Sequence, residues 1–376
     1  MSFEDFQGNP ETVSRIREML ARDRFPHAVI IAGPEGAGKY TLAQMIAKTL
    51  TCLEKPQPNG LPDFCGHCSQ CTRIAQADDL DARFAEAVEA REAMREADKR
   101  EARILIQTHP EVTIVPPDPP QMLIKVGQVR QIIESVSYKP VEAKNKIIIF
   151  TESSFMKEAA NSLLKVLEEP PEYASLILLT TNPGELLPTI RSRCVVFTLG
   201  ALPVKELESR LSASRKDLKP AQRELIARLA SGAMGRALSF KLDEYIEARS
   251  HALTLLRSAV AGTDHTELFR VTETYRAGAE GRDKTDRLLR TLYGLLEDLL
   301  MIKSSTPDLV RNLDIQGELG RMAQSIDFDW VAAAAQGLAD VERGTRRNLL
   351  RSLSLDAFAT SLERQTRIPH RGLGGT

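Results

Sequence analysis

Several features are scarce in this chain of 376 residues. Aromatic residues make up 5% of it, with a single Trp, and no run of about 18 consecutive apolar residues occurs. The shortage of aromatic residues disfavours a β-sandwich, and the lack of a long apolar run excludes a membrane-spanning helix. Because residues 1–5 are neither basic nor apolar, we expect no secretory signal peptide, no membrane partner and a cytoplasmic location.

Neither sign of charge is in excess. The 50 Lys and Arg residues against 51 Asp and Glu residues give a formal net charge of -1. A uniformly basic surface for nucleic acid is therefore excluded, and any DNA contact must be local or made through partners. The hydrophobic and charged contents, 42% and 27%, are those of an ordinary globular protein, and the length predicts two or three domains.

Cysteine is also rare, yet four of the five cysteines crowd into 20 residues with the spacing C-x₁₂-C-x₂-C-x₂-C. In a reducing compartment this pattern indicates a metal site rather than disulfides. A structural zinc site with all four thiolates engaged is the favoured interpretation; an iron–sulfur cluster and buried free thiols are the alternatives. We interpret His67 as a bystander. The predicted metal ligands are Cys52, Cys65, Cys68 and Cys71.

The order of apolar runs predicts an α/β fold. Four short runs, at residues 28–31, 146–150, 176–181 and 194–197, are separated by segments of helical periodicity, as in a buried parallel sheet. One such helix is predicted around residues 159–167. After residue 200 only helical patterns remain, so a small helical unit at 201–243 and an all-α domain at 244–366 are expected, with a frayed tail at 367–376.

Two segments interrupt this pattern without an assigned function. In residues 78–103 acidic and basic residues alternate with Ala, which predicts a solvated helix with i,i+4 ion pairs; a specific acidic or basic binding site is the alternative. The proline-rich residues 116–120 are expected to form a surface turn or a short extended stretch.

A glycine-rich loop between the first apolar run and an amphipathic helix matches the P-loop pattern. Its glycines allow backbone N–H groups to surround phosphate oxygens, the helix N-terminus adds positive potential, and Lys39 can reach the terminal phosphates. The candidate nucleotide-binding residues are Gly33, Pro34, Gly36, Ala37, Gly38, Lys39, Tyr40 and Thr41.

The groups that would hold Mg²⁺ are missing from this P-loop. The residue after the lysine should be Ser or Thr, but it is Tyr40, and Thr41 lies about 100° further round the helix. The strand at 146–150 should be followed by an acidic pair, but Thr151-Glu152 follows it. We therefore expect that ATP can bind without being hydrolysed, because Mg²⁺ is central to phosphoryl transfer. A loop retained only for packing is the alternative.

Several motifs together resemble the AAA+ clamp-loader subunits of bacterial DNA polymerase III. They are residues 24–28, the P-loop, the four-cysteine insertion, residues 161–171 and Ser192-Arg193-Cys194, and the similarity covers about residues 1–240. The resemblance implies an AAA+ domain at 1–200, containing a zinc module at 52–71, followed by a helical lid at 201–243 and a collar domain at 244–366. It also implies a five-subunit ring with gamma/tau motor and delta subunits, which acts on a sliding clamp and primer–template DNA.

Within this family, the resemblance gives two branches with the four-cysteine module: the ATP-hydrolysing gamma/tau motor and delta prime. The motor has Thr where this chain has Tyr40, Asp-Glu where it has Thr151-Glu152, and an arginine where it has Gly235. These departures favour delta prime, for which the resemblance implies that Arg193 acts in trans on ATP held by the neighbouring motor subunit. A motor ATPase and a purely structural scaffold are the alternatives.

Overall fold

The fold is described from a computed structural model, which covers residues 2–262, 265–276, 279–346 and 349–367. The chain divides into two compact units. The first holds the residues up to Pro203 together with Gly232–Arg236, and the second holds Val204–Ser231 and the chain from Ala237 onward. The predicted tail at 367–376 lies, apart from its first residue, outside the described residues.

A six-stranded sheet is the centre of the first unit. Its strands, in chain order, are β1 (Ala28–Ala32), β2 (Ile106–His109), β3 (Val112–Val115), β4 (Lys146–Phe150), β5 (Ala174–Thr180) and β6 (Val195–Thr198). They lie in the order β2-β3-β4-β5-β1-β6, and all neighbours are parallel except β2, which pairs antiparallel with β3 at one edge. The parallel α/β sheet predicted from the four apolar runs is therefore confirmed, and β2 and β3 were not predicted.

Helices cover both faces of this sheet because its strands are apolar on both sides. On β1, Val29 and Ile31 lie in the same buried apolar cluster as Ile46 of the following helix, whereas Ile30 lies with Leu163 in the cluster on the opposite face. The predicted helix around 159–167 is confirmed. The helices of this unit are α1 (Pro10–Ala21), α2 (Lys39–Thr51), α3 (Ser69–Ala75), α4 (Leu80–Glu92), α5 (Glu96–Glu101), α6 (Val126–Val136), α7 (Lys157–Glu168) and α8 (Pro188–Arg191).

The charged segment at 78–103 is helical and solvated, as its charge pattern predicts, but it forms two helices, α4 and α5, and not one. Its ion pairs Arg83–Glu86 and Lys99–Glu96 have i,i+3 spacing in place of the predicted i,i+4 spacing. It is also anchored to the first unit, because Nη1 of Arg91 lies 2.6 Å from Oδ1 of Asp118. Nζ of Lys125 lies 2.9 Å from the same oxygen, and Asp118 is buried. The proline-rich residues 116–120 form a loop in which Asp118 makes an antiparallel bridge to Leu123, as a short extended stretch would. The expectation of a surface position is wrong at residues 116–118, which are buried, and the two cationic partners of Asp118 allow its carboxylate to be buried.

The second unit is helical, as the sequence predicts after residue 200. The helices from this point are α9 (Val204–Ser214), α10 (Pro220–Leu229), α11 (Met234–Leu238), α12 (Leu242–Ala261), α13 (Thr266–Glu273), α14 (Ala279–Lys303), α15 (Gln316–Gln324), α16 (Phe328–Arg346) and α17 (Arg351–Arg367). The first three residues of α11 belong to the first unit. Its core is dominated by leucines, including Leu288, Leu292 and Leu295 of α14, which are fully buried. Among the described residues, no helix combines the length and apolarity needed to cross a bilayer.

A buried polar network ties α12 and α14 together in this unit. One carboxylate oxygen of Asp298 accepts from the backbone N–H of Arg311 at 2.8 Å, and the other accepts from the backbone and side-chain amides of Asn312 at 3.0 and 2.8 Å. The side-chain oxygen of Asn312 in turn accepts from Oη of Tyr245 at 2.7 Å and from Nη1 of Arg249 at 2.9 Å. Burial of the Asp298 charge is therefore compensated by three donors.

Candidate functional site

The P-loop lies where the sequence places it, between the end of β1 and the start of α2. Because β1 is flanked by β5 and β6, the loop leaves the interior of the sheet. Gly36 and Gly38 adopt positive φ angles of 76° and 88°, which residues with a Cβ atom rarely adopt. The N–H of Gly33 donates to the carbonyl of Thr180 at 3.1 Å, which ties the loop to the end of β5.

The ammonium group of Lys39 is bonded to the loop itself. Its Nζ donates to the carbonyl oxygens of Gly33 at 2.7 Å and Pro34 at 2.9 Å. Burial lowers the pKa of Lys39, and the carboxylates of Glu152 and Glu35 oppose that effect. Burial also raises the pKa of Glu152, which Lys39 opposes. The lysine and Glu152 thus share one partly desolvated region.

Two parts of the first unit close over the glycines of the loop. The N–H of Gly235 donates to the carbonyl of Gly36 at 2.8 Å, and a Cβ atom on Gly36 would meet Cγ of Arg236 at 2.6 Å. A Cβ atom on Gly38 would meet the ring of Phe6 at 3.0 Å. Gly235 is therefore packed directly on the loop. The motifs gave no signal for the contacts of Phe6 and Arg236.

Tyr40 does not offer its hydroxyl to the P-loop. Its Oη donates to the carbonyl of Ala77 at 2.5 Å and accepts from Nε2 of Gln44 at 2.6 Å, and burial raises its pKa. The strand β4 is followed by Thr151-Glu152, so a carboxylate is also missing from the usual first position. The residues present do not fit the Mg²⁺ site of an ATP-hydrolysing P-loop.

The four predicted metal ligands are brought together. Their sulfur atoms all lie within 4.8 Å of one another, and four thiolates at about 2.3 Å from a tetrahedral zinc ion would lie about 3.8 Å apart. The backbone N–H groups of Lys55 and Cys65 donate to Sγ of Cys52 at 3.4 Å, and that of Cys68 donates to Sγ of Cys65 at 3.2 Å. With Cys71 completing the set, the residues fit a structural metal ion, which would cross-link the segments that carry them.

His67 lies on the exposed side of this cluster. Its Nε2 lies 2.8 Å from Oε1 of Glu54, and its Nδ1 lies 3.0 Å from the carbonyl oxygen of Cys65. One donor atom each from Glu54, Cys65 and His67 also come within 4.8 Å of one another. This second group has a single sulfur and is more exposed than the four cysteines, so the four-cysteine set remains the better zinc site.

Helix α2 connects the P-loop to the cysteine cluster. It begins at Lys39 and is followed directly by Cys52. Along one side of it Tyr40, Gln44 and Lys48, spaced four residues apart, all contact residues 77–78, which follow α3. The Nζ of Lys48 lies 2.7 Å from an Asp78 carboxylate oxygen. The residue at the position of the Mg²⁺ ligand thus joins the P-loop helix to the segment that follows α3, the helix that carries Cys71.

Arg193 lies between α8 and β6 at the surface of the first unit. Its Nη1 donates to the carbonyl of Thr189 at 2.8 Å, and its Nη2 lies 2.8 Å from Oε1 of Glu168. The side chain is 35% exposed, so part of the guanidinium is open to solvent. The neighbouring Cys194 is partly buried, and this raises the pKa of its thiol to about 11.

A P-loop between a buried parallel strand and a helix, within a sheet of this order, defines an α/β protein of the AAA+ P-loop class. Comparison with protein families narrows this class: the family described as "DNA polymerase III, delta subunit" matches residues 8–203, just over half of the chain. The chain therefore belongs to this family of clamp-loader subunits, as the motifs indicated.

Individual relatives come from more than one branch. The chain is 29% identical to DNA polymerase III subunit tau of Escherichia coli K12 over 267 residues, covering 70% of this chain and 36% of that protein. It is 28% identical to subunit delta' of Bacillus subtilis 168 over 247 residues, covering 65% of this chain and 63% of that protein. The chain thus spans about a third of the length of the E. coli protein and just under two thirds of the length of the B. subtilis protein. A solved structure of a gamma subunit-related protein of Thermotoga maritima is 18% identical, with 94% of this chain and 100% of that chain covered and a TM-score of 0.40.

Proposed function

We propose that the chain is a delta prime type subunit of the DNA polymerase III clamp loader. It works in a five-subunit ring with gamma/tau motor and delta subunits, and helps to load the sliding clamp onto primer–template DNA in the cytoplasm. The observation that carries this proposal is the bonding of Tyr40, whose hydroxyl is engaged with Ala77 and Gln44 at the position of the usual Mg²⁺ ligand. A subunit with that arrangement contributes to replication without hydrolysing ATP itself.

The sequence match to subunit delta' of Bacillus subtilis is consistent with this assignment. Because Lys39 and Gly36 are already bonded within the chain, ATP could enter the loop only after these contacts open. ATP bound in this way would lack a metal ligand at residue 40, so binding without hydrolysis is the proposed limit of the site. Zinc held by the four cysteines is proposed as a structural ion. The proposed parts are the AAA+ domain (1–200), the lid (201–243) and the collar (244–366).

The catalytic contribution we propose is made in trans by Arg193. A guanidinium placed beside the terminal phosphate of a neighbouring subunit's ATP stabilises the charge that develops during transfer, and such arginines accelerate hydrolysis by about 10³ to 10⁵. Arg193 suits this role because its guanidinium is partly exposed and lies on a short segment anchored to the sheet core through Ile190 of α8.

The test is the ATPase rate of a loader reconstituted with its motor subunits, sliding clamp and primed DNA. Arg193→Ala should lower hydrolysis at the ATP site beside this subunit by at least about a hundredfold and so lower the rate of the whole loader, since the contribution of such an arginine at its own site is large. Arg191→Ala is the matched control, because Arg191 is an exposed arginine two residues away. If the Arg193→Ala loader assembles and hydrolyses ATP at the normal rate, the subunit is a scaffold and Arg193 makes no catalytic contribution.

A motor ATPase is the second candidate, and the match to E. coli subunit tau favours it about as strongly as the match to delta' favours the first. The isolated chain distinguishes them. We expect no Mg²⁺-dependent ATP hydrolysis above background, and Lys39→Ala should leave that background unchanged. Hydrolysis at a motor-like rate that Lys39→Ala abolishes would establish the motor assignment instead.

A further inference from the structure

The ion pair between Glu168 and Arg193 joins two different elements of the first unit. Glu168 is the last residue of α7, and Arg193 follows α8, so the contact spans 25 positions in the sequence. From this geometry we propose that Glu168 is a positioning residue for the Arg193 guanidinium. The inference rests on the proposed function, in which Arg193 acts on ATP of a neighbouring subunit.

Two anchors of different kinds hold the guanidinium, and Oγ of Ser192 makes a longer contact of 3.5 Å with Nη1. Thr189 lies four residues before Arg193 on the same segment, and its carbonyl fixes Nη1. Glu168 fixes Nη2 from outside that segment. A guanidinium is planar and rigid, so bonds to both of its terminal nitrogens define its plane as well as its location. Its remaining N–H groups are then available to an incoming phosphate in a fixed orientation.

Both anchors are attached to the same core. Leu163 and Leu167 of α7 are buried against the sheet, and so is Ile190 of α8. The distance between the end of α7 and the start of β6 is therefore set by packing and not by the flexible arginine side chain. Arginine loses rotamer entropy when it is ordered, and a side chain that is ordered before the phosphate arrives loses less of it on engagement.

The pair is weak enough to allow this role. Its side chains are 35% and 51% exposed, and ion pairs at such sites contribute little to stability because water and salt screen them. Glu168 therefore orients the guanidinium without drawing its remaining N–H groups away from a phosphate. A buried, strongly bonded carboxylate would instead compete with the phosphate and withhold the guanidinium.

The experiment measures kcat and KM for ATP in the reconstituted loader with Glu168→Ala and Glu168→Gln. Glu168→Ala should lower kcat about two- to fivefold, the effect equivalent to the energy of one exposed ion pair. KM should not change, because ATP is bound by the neighbouring subunit. Glu168→Gln keeps an oxygen acceptor and should recover part of the loss. Glu169→Ala is the matched control, since Glu169 is exposed and adjacent, and should leave kcat unchanged.

A double variant separates positioning from a general structural effect. In an Arg193→Ala background, Glu168→Ala should have no further effect, because the group it positions is gone. A further loss of kcat in the double variant would overturn the inference. A normal or an increased kcat for Glu168→Ala alone would also overturn it. None of these results would contradict the catalytic role of Arg193. If Arg193→Ala alone does not change kcat, the proposed function fails. This result can be told apart from a failure of the Glu168 inference, because it is obtained with Glu168 intact.

Discussion

The hydroxyl of Tyr40 offers a direct test of how the P-loop helix is joined to the segment that follows α3. Tyr40→Phe removes the donor to the Ala77 carbonyl and the acceptor for the Gln44 amide, and Gln44 is buried. Two buried hydrogen bonds lost without replacement would cost about 2–3 kcal/mol. Nε2 of Gln44 already lies 3.5 Å from the Ala77 oxygen and can bond to it directly, so we expect a smaller loss of about 1–2 kcal/mol.

The assay is thermal unfolding of the purified chain, followed by circular dichroism. A loss of this size should lower the melting temperature of a unit of this length by about 3–6 °C. Tyr138→Phe is the control, because its side chain is 66% exposed, and it should change stability by less than about 0.5 kcal/mol. If Tyr40→Phe melts at the same temperature as Tyr138→Phe and the parent chain, the hydroxyl does not bridge Ala77 and Gln44.

Two further changes test other parts of the fold. Protein purified without chelators should contain about one zinc per chain by elemental analysis, and the Cys71→Ser variant should contain little or none. Zinc-free parent protein in which all four clustered thiols react freely would contradict the metal site. In the helical unit, Asp298→Ala removes a buried carboxylate that accepts from three donors, so the free energy of unfolding should fall by about 2–4 kcal/mol in urea titrations. Asp308→Ala, at an exposed aspartate of the same unit, should unfold like the parent chain; equal midpoints for both variants would refute the network's role.

The parts of the molecule that the sequence predicts well are those set by local pattern. A strand, a glycine-rich loop and a helix in succession predict a P-loop, because each element depends on its own residues. The spacing of the four cysteines predicts their convergence for the same reason, since Cys65, Cys68 and Cys71 lie within seven residues. The absence of the usual Mg²⁺ ligands could also be predicted from the sequence, because Tyr40 and Thr151 occupy fixed positions of the motif.

Contacts between distant segments could not be predicted from these patterns. The strands β2 and β3 are four residues each and lie between a charged segment and a proline-rich one, so neither gave a clear period. The burial of Asp118 depends on Arg91, which is 27 positions away in the sequence. From the sequence alone, a single aspartate among prolines is expected to be exposed to solvent. The ion pair of Arg193 with Glu168 likewise depends on how α7 and α8 pack.

The single uninterrupted helix α2 has a consequence for how disturbances spread through the first unit. It runs 13 residues, about 20 Å, from Lys39 to the residue before Cys52. Because α2 is a continuous helix, a displacement of its C-terminal end near Cys52 also displaces its N-terminal end near Lys39. If a metal ion binds the four cysteines as proposed, its removal should raise amide hydrogen exchange in the glycine-rich loop at the N-terminal end of α2.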